Sequence, residues 1–429
     1  MFKLIKCLCF VTIVSGVGTS FAQLSKSPYS IQGIGDLQGM GLISNESMGG
    51  TGMALGSQFH INTLNPALLP LNYSTTFDIG AVGEIRSLKK DTLFQRNSTL
   101  NIGYMAFAFP VIKGGKMTLS MGLKPYSQVE YNIQTKQNIS GSSSKAEIEA
   151  VGTGGINQAY LALGGRIKNL FIGARAGYYF GSIIDETTVK PFLINDQDTL
   201  ISSYLNTNYY RRTSYSDVDL GLGVAYSVKL NNNYSFSIGG TYDLQTTISS
   251  KKLELLEQRR YFDNQVIQFD TIAFNENGSI SLPSKFGLGI SLQNGLRWAT
   301  AIDFTTQDFT KFRNFEGDSE GLKKSYKVAI GFEVIPDFTS VTSYLKRSIY
   351  RTGLYYHQTP YSQNNIQIKE FGINFGAGLP VSRESLVNLM FGYGKRGFGG
   401  DNLIIEDYFK FSLGITFRDS SWFRTRKYD

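Results

Sequence analysis

Strict alternation of apolar and polar residues recurs in segment after segment, and it constrains this chain more than any other feature. Tyr234, Phe236, Ile238, Tyr242 and Leu244 interleave with Ser235, Ser237, Gly239, Thr241, Asp243 and Gln245. On a strand this sends every large apolar group to one face. Val218, Leu220, Leu222, Val224, Tyr226 and Val228 repeat the pattern, as do Tyr326 to Val334 and Phe409 to Phe417. Strands are predicted near 74–88, 97–110, 116–137, 145–167, 169–190, 206–230, 233–251, 267–292, 296–311, 322–335, 348–360, 366–379, 386–396 and 407–418, fourteen in all. Many exceed the ~10 residues that cross a hydrocarbon layer at a tilt and the ~5–6 usual in globular sheets. A soluble sandwich alternates in the same way, but the turns separate the two. Gly114-Gly115, Lys168-Asn169, Asn231 to Asn233 and Gln293 to Gly295 are tight, whereas the links at 190–206, 251–267 and 311–322 are longer and polar. That asymmetry marks a barrel with periplasmic turns and extracellular loops. Pro336 to Arg347 is a long link on the short-turn side, which leaves the count open by about two strands. The expected fold is therefore all-β: a closed transmembrane antiparallel barrel of about fourteen strands, because lipid offers an unpaired strand edge no partner.

The first residues fix the compartment. Lys3 and Lys6 precede an apolar run from Leu8 to Val17, and Ser20-Phe21-Ala22 supplies the small residues read by a signal peptidase, so residues 1–22 read as a signal peptide. The run is shorter than the ~20 residues of a spanning helix. Cys7 and Cys9 both fall inside it, leaving the mature chain no disulfide and no thiolate metal site. The 30 Phe, 25 Tyr and 46 Gly against 10 Pro favour strands and tight turns. The formal charge of +8 drops to +6 without Lys3 and Lys6 and is scattered. It suits outer-membrane lipid and lipopolysaccharide headgroups, not nucleic acid, which wants a concentrated basic face. Trp298, Tyr226, Tyr234 and Tyr326 are expected near strand ends, at headgroup level.

Residues 23–72 differ from the rest. Glycines at 33, 35, 39, 41, 49, 50, 52 and 56 and little alternation suggest short turns packed inside something larger, a plug in the lumen, or else a flexible periplasmic arm. The run Met48-Gly49-Gly50-Thr51-Gly52-Met53-Ala54, followed by Asn65-Pro66-Ala67 just before the first strand, resembles the hatch of the outer-membrane long-chain fatty-acid transporters, the FadL family. The resemblance implies a hatch at 23–72, a barrel at 73–418, a periplasmic tail at 419–429, and passive uptake of a hydrophobic small-molecule ligand. In that family the ligand moves from an extracellular groove to a pocket closed by the hatch and leaves through a lateral opening. Asn65, Pro66 and Ala67 carry over with Gly49, Gly50 and Gly52; no pocket residue does. The stretch Gly56 to Leu64 lacks the family's acidic residues, and the chain ends in Lys427-Tyr428-Asp429 without a terminal aromatic. Barrels of this shape also serve in type IX secretion complexes. The alternative is thus a non-transport component holding a periplasmic or secretion-complex protein, with Trp422 to Tyr428 as docking peptide or frayed end.

No catalytic, cofactor or metal site is expected. The two histidines, His60 and His357, are far apart in sequence. Gly392-Tyr393-Gly394-Lys395-Arg396-Gly397 matches a dinucleotide fingerprint by letter but lacks the helix that should follow. By parity Arg175, Lys229, Arg297 and Lys327 point into the lumen as candidate contacts for a fatty-acid carboxylate. Asp217, Asp219, Asp303 and Glu333 point the same way, so ion pairs knitting the lumen are the competing reading. Lys251 to Arg260 reads as an amphipathic lid or as a strand extension.

Overall fold

The computed structural model describes residues 27–39, 41–112, 114–138, 145–194, 200–202, 205–231, 233–382, 384–400 and 402–419. Residues 1–22, read above as a signal peptide, Gln23 to Lys26 and the residues after Asp419, read above as a tail, lie outside them. The alternating segments form fourteen wall strands: β1 Thr75–Lys90, β2 Leu93–Ile112, β3 Met117–Asn138, β4 Lys145–Ile167, β5 Leu170–Ile194 and β6 Leu205–Lys229. β7 comprises Tyr234–Asp243 and Thr246–Arg260, and β8 comprises Val266–Leu282 and Lys285–Asn294. The ring continues with β9 Trp298–Asp308, β10 Lys324–Val334, β11 Ile349–Gln363, β12 Ile366–Pro380, β13 Ser385–Arg396 and β14 Ile405–Asp419. Each strand pairs antiparallel with the next, and β14 returns to β1 with Phe417 opposite Phe77 and Ile405 opposite Lys89. The ring is closed.

Parity sorts the two faces as alternation requires. On β6, Val218, Leu220, Leu222 and Val224 are exposed on the outer surface while Asp219 and Ala225 are buried within. Such an apolar outer belt is suited only to hydrocarbon. At the short-turn end Tyr234 meets Trp298 at 6.0 Å between centroids and Trp298 meets Phe332 at 6.4 Å, an aromatic girdle where amphipathic rings belong. These features make the chain an outer-membrane β-barrel.

Two details settle what the sequence left open. Lys251 to Arg260 takes the second of its two readings, a strand extension: it continues β7, pairing with β6 on one side and β8 on the other. The strands β3 to β8 consequently rise well above the belt, whereas β9 and β10 are short. The long link after β10 does lie on the short-turn side. It carries one helical turn, Tyr344–Arg347, and sets Phe338 against Phe59 of the hatch at 5.4 Å, so its length covers the hatch end and adds no strand.

Candidate functional site

Residues 27–72 run down the lumen from the long-loop mouth to the short-turn end. Near the mouth, Asp36–Leu37 pairs with Gln128 and Ser127 of β3. Midway, the helical turn Ile43–Glu46 leads into Gly49 and Gly50, both with positive φ (72° and 87°), where a side chain would be strained. At the bottom a 3-10 helix, Pro66–Leu71, enters β1. The wall makes room for this segment through inward glycines. A Cβ on Gly353 would lie 2.1 Å from the carbonyl carbon of Met48, and one on Gly173 would lie 2.4 Å from that of Pro66.

The motif residues converge on one knot. The Asn65 carboxamide accepts from Ala67 N–H (3.0 Å) as helix cap and donates to Met53 O (2.7 Å) and to Val224 O of β6 (3.2 Å). Pro66 fits the first position of the turn, which needs no N–H. Asn62 donates to Gly52 O (2.8 Å) and Leu55 O (3.0 Å). From β9, the buried Asp303 accepts both Gly52 N–H (2.6 Å) and Met53 N–H (2.9 Å), and Ser291 of β8 donates to Ala54 O (2.8 Å). The Gly-rich turn and the Asn-Pro-Ala motif are thus one hydrogen-bonded unit clamped to the wall.

Above Gly50 and Met53 lies a cavity of about 170 Å³ whose lining includes Lys285, Lys327, Lys410, Glu84, Glu370 and Tyr355. It is ionic, not greasy. Of the four candidate cations only Lys327 lines it; its ammonium sits 4.5 Å from the Tyr355 ring centroid. Arg175 is buried in a pair with Asp219 (2.7 Å) and Asp243 (3.0 Å), so the ion-pair reading holds there. Lys229 and Arg297 are exposed beside short turns and do not reach the cavity, because parity says nothing about depth. Glu333 pairs with Arg351 (2.6 Å), and Asp217 is bound at the wall by Ser249 (2.9 Å). On the mouth side, Arg396 joins Glu370 (2.7 Å) to Asp36 of the hatch (3.1 Å), Arg86 joins Glu84 (2.7 Å) to Glu406, and Ser27 donates to Glu406 (2.6 Å).

Ser325 Oγ and His357 Nε2 are 3.0 Å apart at this cavity. Glu370, opposite His357 on β12, has its oxygens engaged by Arg396, Tyr355 and Tyr408. His60 is remote, buried at the short-turn end. Among the described residues no group of three or more His, Cys, Asp or Glu is placed to hold a metal.

The wall has a seam that sequence reasoning missed. The β2–β3 ladder runs only from Met105 opposite Leu123 to Ile112 opposite Met117. Beyond it β2 still pairs with β1 as far as Lys90 opposite Leu93, but β3 pairs instead with the hatch strand. Between the two a window of about 90 Å³ opens, lined by Asn101, Gly103 and Pro125 at its edges and by Ile43 and Glu46 of the hatch behind. Pro125, a residue without an N–H inside a strand, was the available signal. Toward the mouth a third cavity, about 270 Å³, is lined by Tyr131, Tyr209, Tyr215, Phe312, Phe315 and Arg211.

A family model described as BamG matches residues 1–429. Among solved structures, the P. putida toluene transporter TodX aligns at a TM-score of 0.57 and 16% identity, covering 90% of this chain and 99% of that one. The CymD monoaromatic hydrocarbon channel aligns at 0.51 and 13%, covering 90% and 98%, and a Pseudomonas aeruginosa FadL homologue at 0.52 and 10%, covering 89% and 99%. No curated protein matches. The likeness to these channels is one of fold: a FadL-like barrel.

Proposed function

From the premise that the chain belongs to the BamG family and is built on the FadL-like barrel, we propose that it passes small amphipathic molecules, such as long-chain fatty acids, through the outer membrane. The carrying observation is the gap between β2 and β3, whose cavity is lined both by Glu46 and Lys410 of the lumen and by the outward-exposed Ile102. The aromatic cavity at the mouth would hold the cargo first. Lys327 and Lys410, within the ionic cavity, would receive an anionic head while the tail lies toward Ile43 and the window. The outer membrane has no nucleotide to drive transport, so passage follows the gradient.

The test is uptake of radiolabelled oleate by proteoliposomes holding the purified chain. Asn101→Trp, which fills the window from an exposed position, should abolish uptake, and Lys327→Gln should weaken it. Uptake equal to that of empty liposomes would reject transport. The second reading, a barrel that is one component of a larger assembly, is favoured by the uncovered strand edge described next.

A further inference from the structure

The upper piece of β8, Val266–Leu282, has lost its neighbour in the ring. β9 stops at Asp308 opposite Lys324 while β8 continues upward; among the described residues its outer edge makes a backbone pair only with Arg313, at Ser281, and Phe315 lies over Gly278. From Lys285, opposite Gln307, to Val266 it extends roughly 60 Å along the strand, above the apolar belt. Its outer N–H and C=O groups between Val266 and Glu276 therefore form a free sheet edge. Large apolar side chains accompany that edge: Ile267 is 52% exposed, Phe269 63%, Ile272 57% and Phe274 74%.

Natural sheets blunt such edges with lysine, proline or bulges. Here there is no lysine, arginine or proline from Tyr261 to Leu282. Bulges are present, at the shifts between Lys252 and Glu254, between Glu254 and Leu255 and between Gln258 and Arg259, and they leave Ile272 without a residue opposite on β7. The three charges of the stretch are all acidic: Asp263 pairs with Arg260 (3.0 Å) and Glu276 with Lys252 (3.4 Å) of β7, and Asp270 stands on the same exposed stretch.

We propose that this edge is a cell-surface docking site for an extended segment of another polypeptide, one that alternates apolar with basic residues and adds to the sheet beside β8. Backbone groups supply the affinity, the apolar side chains the anchors and Asp270 the selectivity for a basic residue. Lipid tails cannot cover the edge, since they offer no hydrogen bonds. A second copy cannot either: copies in one membrane share its normal as symmetry axis. Strands tilted ~35–45° from that axis meet crossed, not in the antiparallel pairing a two-fold edge contact needs.

The probes are two synthetic decapeptides, one of alternating lysine and valine and one of alternating glutamate and valine, added to the purified full chain in detergent. Hydrogen exchange is followed at the amides of 266–276 and binding by fluorescence anisotropy. The basic peptide should bind and slow exchange at that stretch; the acidic one should do neither. Asp270→Lys should weaken binding at least tenfold. Ile272→Pro should do the same, because it removes an N–H from the docking stretch at a position that makes no ladder pair with β7, and both variants should retain the heat-dependent gel shift of a folded barrel. Equal binding of both peptides, protection elsewhere than 266–276, or variants that bind as the parent does would overturn the proposal. So would a photocrosslinker at Phe269 in intact cells that captures only lipopolysaccharide or a second copy. None of these readouts involves uptake, so the docking site and the channel stand or fall separately.

Discussion

Replacing Asp303 by alanine should unfasten the centre of the hatch. Its carboxylate, on a side chain only 3% exposed, accepts from two consecutive backbone N–H groups, Gly52 at 2.6 Å and Met53 at 2.9 Å. The alanine variant strands both donors in a site already filled by the hatch and the β8 wall. A buried donor left without an acceptor costs about 1–3 kcal/mol, so the turn loses about 2–6 kcal/mol. Each 1.4 kcal/mol is tenfold in an equilibrium, so local opening should rise at least about 30-fold. Native-state hydrogen exchange reads that opening directly, through faster exchange of the amides of Gly52 and Met53 while the wall of β9 stays protected. Asp303→Asn keeps one carbonyl oxygen to accept and should fall between. In planar bilayers the alanine variant should conduct ions more often than the parent, because the plug's midpoint clamp is gone. Unchanged exchange at Gly52 and Met53 would refute the idea that this carboxylate seats the hatch.

His60 should make the lower hatch acid-sensitive. Burial, and then the nearby Arg351 and Arg418 guanidinium groups, push its pKa down from 6.5 to about 3. A released segment takes up a proton below pH 6.5 that the seated one refuses. The seat is therefore fully stable above that value and weakens by up to about 1.4 kcal/mol per unit as pH falls toward 3. Proteolysis of residues 57–64 should accelerate at pH 5 relative to pH 7 in the parent and not in His60→Phe. Asn65→Ala, which deletes the helix cap and leaves Met53 O and Val224 O without that donor, should destabilise the hatch base by about 1–2 kcal/mol, seen as faster exchange at Ala67 and Leu68. Unboiled chain in detergent should migrate apart from boiled chain on a gel; identical migration, with solubility in the absence of detergent, would contradict the barrel.

Much of this was written in local pattern. Period-two alternation placed all fourteen wall strands, since it reports which face each side chain takes, and the Gly-rich turn with Asn65-Pro66-Ala67 marked a unit whose hydrogen bonds do converge. Depth along the lumen was not legible: Lys229 and Lys327 share a parity, yet one lies beside a turn and the other under the mouth. Nor was the seam. Whether β2 pairs with β3 above Met105 depends on how far two strands splay around a hatch, and Pro125 was its only local trace. The free edge of β8 is likewise a difference between the heights of neighbours, which no single strand encodes. Lys251 to Arg260 was legible only as a choice: mixed leucines and charges suit a surface lid or a strand extension, and pairing with two partner strands makes it the extension.

The ionic character of the lumen restricts what could pass through it. A bare hydrocarbon entering the cavity over Gly50 would displace water from Lys327, Lys410, Glu84 and Glu370 without replacing any hydrogen bond, and an uncompensated buried polar group costs roughly 1–3 kcal/mol. An amphiphile avoids that cost by leaving its charged head among those groups and threading only its tail toward Ile43 and Ile102. Head and tail would then lie on opposite sides of Glu46, whose backbone carbonyl is held at 2.5 Å by the Asn374 side chain. On the proposed path, release of cargo to the window would call for a movement of this hatch turn, since the gap between β2 and β3 is already present in the wall. Competition should reveal the ordering: a long-chain carboxylate should displace a bound fluorescent fatty acid, while toluene at equal aqueous activity should not. Displacement by toluene alone would show that the charged cavity is bypassed.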